Sequence, residues 1–227
     1  HRIILYMKKI NPLFLALLFH GTGVLGILFS PYKDWFVSST PLVLLFMFLL
    51  LANTQLKAIK NFLLSFAIAF VISMATEIIG VNTGLLFGEY QYGPVLGPKI
   101  LGVPWLIGLN WFVIVYCSGS FLLHSVELVE RKLTIPLTVP TSTTMVVLGG
   151  AAMATFFDFI LEPVAVKLNF WTWNRGDIPL FNYLCWFVVS AILLRINLQL
   201  KQVNTDVFAS SLLIIQAAFF LMLNLFL

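Results

Sequence analysis

Apolar residues in this chain come in long runs separated by short polar clusters. Neither the strict alternation of a half-buried strand nor the one-sided stripe of a surface helix dominates. Seven runs approach the roughly 20 residues that an α-helix needs to cross a hydrocarbon core: 13–30, 36–53, 61–81, 105–126, 143–163, 179–200 and 207–227. The pattern predicts an all-α, polytopic membrane bundle of about seven transmembrane helices, a single transmembrane domain over 1–227. The second run, around PLVLLFMFLLLA, is the most uniformly apolar and is expected to face lipid. The first follows Lys8 and Lys9 as the core of a signal peptide would. Leu28-Phe29-Ser30-Pro31 is a poor small-residue cleavage site, however, so the run is read as a helix. A chain that opens on His1 is expected to be trimmed or to carry added residues.

Composition narrows the classes further. Of the 227 residues 60% are hydrophobic and 10% charged, against about 25% charged in soluble domains. That excludes a water-facing enzyme, a nucleic-acid-binding module and a disordered regulator. The net charge of +4 therefore reads as basic loops that orient helices. Arg2, Lys8, Lys9, Lys57, Lys60, Arg131, Lys132, Arg195 and Lys201 fall on one side, with Arg195 able to snorkel. Lys33, Lys99, Lys167 and Arg175 fall on the other. The bias predicts a cytoplasmic N-terminus and an outer C-terminus in the cell membrane. Cys117 and Cys185 lie in apolar runs and read as packing residues. His1, His20 and His124 share no ligand spacing. His20, beside Gly21, Thr22 and Gly23, reads as a helix-packing residue. No phosphate cradle or acid-rich magnesium repeat is visible, and no metal is expected.

Charges inside the spans carry the chemistry, because each costs about 2.5–3.5 kcal/mol near the bilayer centre. Glu77 lies near the end of the third run, and Asp158 and Glu162 near the end of the fifth. Asp158 and Glu162 are four apart, which puts them on one helical face, and Pro163 is expected to stop that helix. Two odd-numbered helices run the same way, so all three carboxylates should share one depth. Glu162, nearer the end, has water as its alternative surrounding. Two longer loops leave from that depth, 82–104 and 164–178, and Asn110, Trp111, Asn182 and Trp186 open the helices that follow. The first loop is rich in Gly and Pro, including Gly84, Gly88, Gly97, Gly102 and Pro104. It is expected to be structured, lying over or dipping into the bundle, with Tyr90 and Tyr92 alternating with polar residues. The alternative for these tyrosines, and for Trp171 and Trp173, is an interfacial aromatic belt. Glu89 and Asp177 are expected to be solvated.

The stretch from Glu77 to Trp111 contains Thr83-Gly84-x-x-Phe87-Gly88-x-Tyr90-x-Tyr92, then Leu96-Gly97, Gly102-Val103-Pro104 and Trp111. It resembles the carotenoid biosynthesis family of CruF-type carotenoid 1',2'-hydratases, which includes bisanhydrobacterioruberin hydratases. A looser second stretch agrees: Asp158-x-x-x-Glu162-Pro163, Trp171-x-Trp173, Ile178-Pro179-x-x-Asn182 and Trp186. The family-like motifs lie within 77–186. Glu162 stands where the family often has Asp, and Cys185 where Gly precedes Trp. The resemblance implies a multi-pass membrane enzyme that adds water to the terminal double bond of an acyclic carotenoid and needs no cofactor. Its partners would be the carotenoid, water and lipid, with contacts to other carotenoid-pathway enzymes left open.

Such hydration protonates an alkene to a tertiary cation, which water captures. It requires a carboxyl still protonated near neutral pH, as burial in apolar surroundings allows, a group that orients water, and π faces for the cation. Asp158 is expected to give the proton and Glu77 or Glu162 to take one from water, with Asn110 and Asn182 bonding the carboxyls or the water. Tyr90, Tyr92, Trp111, Trp171, Trp173 and Trp186 would line the cation site, and an opening to lipid is expected. The rival enzyme is a lycopene-type cyclase, which shares the protonation. Non-enzymatic rivals are a proton-coupled transporter and a polyene- or quinone-binding subunit.

Overall fold

The computed structural model describes residues 11–133, 138–200 and 203–227. Of the residues named above, His1, Arg2, Lys8, Lys9 and Lys201 lie outside that range. Eight α-helices follow in order: α1 (Pro12–Phe29), α2 (Lys33–Ser38), α3 (Thr40–Thr54), α4 (Ile59–Thr83), α5 (Trp105–Leu133), α6 (Val139–Lys167), α7 (Leu180–Gln199) and α8 (Val207–Phe226). Six of them, all but α2 and α3, are long and apolar enough to cross a membrane. This is an all-α polytopic bundle. Large apolar side chains such as Phe29, Leu42, Val71, Phe156 and Leu225 stand exposed on its outside, the arrangement expected of a lipid-facing surface.

The second apolar run departs from expectation. It divides at Ser39 into α2, of 6 residues, and α3, of 15. Pro41, in the first turn of α3, has no N–H to continue the ladder from Val37, and that is the physical reason for the break. At 1.5 Å per residue α3 spans about 22 Å, short of a 30 Å core. It does not simply face lipid either: Met47, Phe48, Leu50 and Leu51 are buried, while Leu42 is exposed.

Helix α5 is the axis of the bundle. Its side chains from Trp111 through Ser120 are buried on every face, as a helix apolar all round must be. Phe112 meets Phe48, Phe62 and Phe66 edge-on or tilted, so an aromatic seam ties α3 and α4 to α5. At one end of the bundle Asp206 caps α8 by accepting from the Phe208 N–H at 2.8 Å. Its other oxygen accepts from the Thr54 hydroxyl at 2.6 Å and from the Gln55 amide. The end of α3 is thereby anchored to the start of α8.

At the other end two connections become short strands. β1 (Tyr90–Tyr92) pairs antiparallel with β4 (Trp171–Trp173), in register Tyr90↔Trp173, Gln91↔Thr172 and Tyr92↔Trp171. β2 (Lys99–Ile100) pairs with β3 (Val103–Pro104) in a small hairpin. The 84–104 segment is thus structured, as expected. Gly84 ends α4 in the left-handed conformation, φ 68°, with its N–H on the Gly80 carbonyl at 2.8 Å. Gly93, just past β1, gives its N–H to the Phe170 carbonyl at 2.8 Å. A Cβ there would overlap the Asn169 carbonyl oxygen.

Pro163 does not stop α6. The helix runs on to Lys167 with Pro163 inside it. Proline removes one backbone donor, that to Phe159, and neighbouring helices hold the rest of the turn in place, as membrane bundles allow. Glu162 is therefore an interior residue of α6 and 2% exposed, not a water-facing terminus.

Candidate active site

The site is built from two acid-and-donor sets that face each other under the β1–β4 ribbon. Glu77, on the last turns of α4, is 4% exposed. One of its oxygens accepts from the Tyr92 hydroxyl at 2.7 Å and from the Tyr90 hydroxyl. The other accepts from the Trp111 indole N–H at 2.7 Å. Glu162, on α6, accepts from the indoles of Trp171 at 2.9 Å and Trp173 at 3.0 Å on one oxygen. Asn182, at the start of α7, reaches its other oxygen at 3.3 Å and donates to Asp158 at 2.8 Å. Asp158 is 1% exposed and receives only that one hydrogen bond among the described residues.

Strand geometry explains the pairing of donors. In β1 and β4 alternate residues point to one face, so Tyr90 and Tyr92 project inward together, as do Trp171 and Trp173, while Gln91 and Thr172 face out. Cross-strand partners touch ring to ring: Tyr90 lies tilted 5.0 Å from Trp173, and Tyr92 edge-on 5.8 Å from Trp171, between ring centroids. Burial foremost, and the neighbouring Glu77 carboxylate next, push both phenols above their ordinary range. They stay proton donors at any physiological pH. Trp111 and Trp186 stack nearly parallel, 6° apart and 3.6 Å between centroids, which closes the floor with π surface.

These side chains enclose a cavity of about 20 Å³, lined by the three carboxylates, Asn110, Asn182, Phe87 and the aromatics. By that measure it holds one water molecule, for which about 10–15 Å³ suffices. Here Asp158, Glu77, Glu162, Tyr90, Tyr92, Trp111, Trp171, Trp173, Asn182 and Trp186 all converge. The tyrosines and Trp171 and Trp173 are buried, not an interfacial belt. Asn110 lines the cavity half-buried and bonds none of the three acids. Glu89 and Asp177 are exposed. Of the loop residues, Thr83 caps the end of α4, its hydroxyl receiving the Leu85 N–H at 3.2 Å. Phe87 takes φ 63° while its N–H points to the Cys185 sulfur at 3.3 Å and its ring, 1% exposed, packs on Trp111. Gly88, Gly97, Leu101 and Gly102 supply the loop's remaining positive-φ positions, and Pro104 pairs with Lys99.

Sequence reading missed the strand pairing and the wall formed by Ile107 and Leu161. The signal for the first is the shared i, i+2 spacing of Tyr90-x-Tyr92 and Trp171-x-Trp173. The cavity is also tighter than the opening to lipid that was expected.

Fold and site together define a multi-pass membrane protein with a buried cluster of carboxylic acids under an aromatic cover. The family model for "Carotenoid biosynthesis protein" matches residues 37–227, and the chain belongs to that family. It is also 32% identical over 124 residues to bisanhydrobacterioruberin hydratase of Haloarcula japonica, a match covering 53% of this chain and 39% of that protein. The chain thus spans about two fifths of the length of this curated relative. No solved structure matches it.

Proposed function

We propose that the chain is a carotenoid hydratase. It adds water across the terminal 1',2' double bond of an acyclic end group, such as that of lycopene, γ-carotene or a bacterioruberin precursor. The observation that carries this reading is the unequal engagement of three acids around a space for one water. Glu77 and Glu162 are each fixed as acceptors by three donors. Asp158 carries one donor and keeps an oxygen for a proton it can hand on.

In the proposed cycle Asp158 protonates C2', leaving a tertiary cation at C1'. The Trp111–Trp186 stack and the ribbon aromatics face that cation, each contact contributing about 0.5–2 kcal/mol. Water held by Glu77 or Glu162 adds to C1' and gives up its proton, which ultimately restores Asp158. The reaction forms one C–H and one C–O bond, consumes one water and needs no oxidant. The cavity fits a water but not a branched end group, so substrate entry requires its wall to part.

The setting proposed with it is the cell membrane, N-terminus cytoplasmic, with the carboxylate-bearing end outward. The test is expression in bacteria that make lycopene, with products separated by chromatography and read by mass and absorbance. A product heavier by one or two waters with an unchanged polyene spectrum is expected. A product of unchanged mass with a shifted spectrum would make the chain a cyclase instead, and untouched lycopene beside well-inserted protein would remove lycopene as the substrate.

A further inference from the structure

A second cavity lies between α1, the α2–α3 segment and α8. It measures about 190 Å³ and is walled by apolar side chains, among them Val43, Leu44, Phe170 and Phe219. An apolar cavity of about 150 Å³ admits benzene, so this one takes a branched group of at least that size. Of the five polar side chains in the wall, His20, Thr22, Ser39, Thr40 and Gln216, two are more than nine-tenths buried: His20, 8% exposed, and Gln216, 4% exposed.

Both present acceptors with nothing to accept from. The Gln216 amide oxygen has no hydrogen-bond partner. His20 Nδ1 lies 2.8 Å from the Ala16 carbonyl. A carbonyl can only accept, so in the neutral ring Nδ1 carries the hydrogen and Nε2 is left as a lone-pair acceptor. The ring is held edge-on against Phe219 at 5.5 Å. A buried polar atom without a partner is costly; the Gln216 amide carries an acceptor oxygen and an NH₂ donor, so a hydroxyl, which both donates and accepts, matches it. A hydrocarbon would leave both unpaired.

We propose that this cavity binds the hydroxyl-bearing end of an isoprenoid chain, its hydroxyl bonding the Gln216 amide and its methyl-branched carbons filling the apolar wall. The choice of an isoprenoid rests on the membership in the carotenoid biosynthesis family, not on the hydration chemistry. Two sources carry this group: a carotenoid already hydroxylated at one end, and a free isoprenoid alcohol in the membrane. The cavity also touches Leu168 and Phe170, the residues just before β4, so a bound chain abuts the strand that holds Glu162.

The experiment uses the full chain in lipid nanodiscs and a farnesol analogue carrying a photoreactive diazirine. Labelled peptides are mapped by mass spectrometry, with farnesol, the hydrocarbon farnesene and a singly hydroxylated carotenoid as competitors. Labelling is expected around Val43 and Phe219. Farnesol should displace the probe at about tenfold lower concentration than farnesene, the factor one hydrogen bond supplies. Gln216→Leu should erase that preference while leaving hydration unchanged, and Val43→Phe should block labelling by filling the space. Competition by the carotenoid assigns the site to the pigment's hydroxylated end, and competition by farnesol alone assigns it to a free alcohol. Equal competition by alcohol and hydrocarbon in the unaltered protein would overturn the proposal, as would labelling elsewhere. So would a preference that survives Gln216→Leu in a folded variant. No arm requires turnover, so failure here and failure of the hydratase reading are separately visible.

Discussion

Replacing Asp158 by Asn isolates the proton transfer from the architecture around it. The side chain keeps its shape, and its amide oxygen still accepts from Asn182 at the position where the carboxylate accepts at 2.8 Å. No other described residue donates to Asp158, so the new NH₂ group displaces no donor. The variant should therefore fold and reach the membrane in normal amount. What it loses is an acidic proton within the water-sized cavity. A positioned general acid contributes about 10²–10⁴-fold, equivalent to about 3–5 kcal/mol of barrier. Glu162→Gln makes the contrast. One Glu162 oxygen faces two indole N–H groups, which can only donate, and the other faces the Asn182 amide. A Gln there must turn its NH₂ toward a donor, so that variant should lose stability as well as activity. The assay is hydrated carotenoid per unit of membrane-inserted protein, quantified by immunoblot, in the lycopene-producing host. Asp158→Asn activity above a tenth of the unaltered level, at equal insertion, would refute the assignment of the proton donor.

Three further outcomes follow from the cover of the site. Trp171→Phe and Trp173→Phe each remove one N–H from Glu162 and keep an aromatic ring; each should lower hydration about tenfold, a bond to a charged group being worth about 1.5–3 kcal/mol, as steady-state product formation will show. Gly93→Ala sets a methyl against the Asn169 carbonyl and should destabilise the protein by about 1–3 kcal/mol, read as an earlier thermal transition in detergent. The Tyr90 and Tyr92 phenols are held above their ordinary value, so the folded state keeps protons that the unfolded chain releases near pH 10. Stability from this source is full below about pH 10 and falls as pH rises past it. The decline should be shallower in a Tyr90→Phe, Tyr92→Phe double variant, and an identical slope would contradict the buried geometry.

Much of this was legible in the residue pattern, because a lipid solvent leaves few options. Long apolar runs must be helices, and a carboxylate such as Asp158 inside one must have company. Spacing put Asp158 and Glu162 on one face, and the common direction of two odd-numbered helices gave Glu77 the same depth. Three things were not legible from those rules. Pro163 is a helix breaker in water, yet α6 continues through it to Lys167, as packed membrane bundles allow. Ser39 looked like one more residue of a span, whereas Pro41 just beyond it divides the run. The β1–β4 ribbon joins residues about eighty positions apart, and only the matching period of two in its aromatic pairs hinted at it. Gln216 carried no signal, since a single amide in an apolar run becomes informative only when its oxygen proves to have no partner.

The order of the partners along the chain bears on how such a protein is made. Glu77 is followed by its donors after 13, 15 and 34 residues, and Glu162 by its donors after 9, 11 and 20. At about 5–20 residues per second on the ribosome, each acid enters the membrane only a few seconds ahead of the groups that shelter it. The donors of each acid therefore lie just downstream of it, and the ribbon can close only once β4 has been made. A chain interrupted after α5 would already contain all three donors of Glu77, whereas one interrupted between α6 and β4 would contain none of those of Glu162.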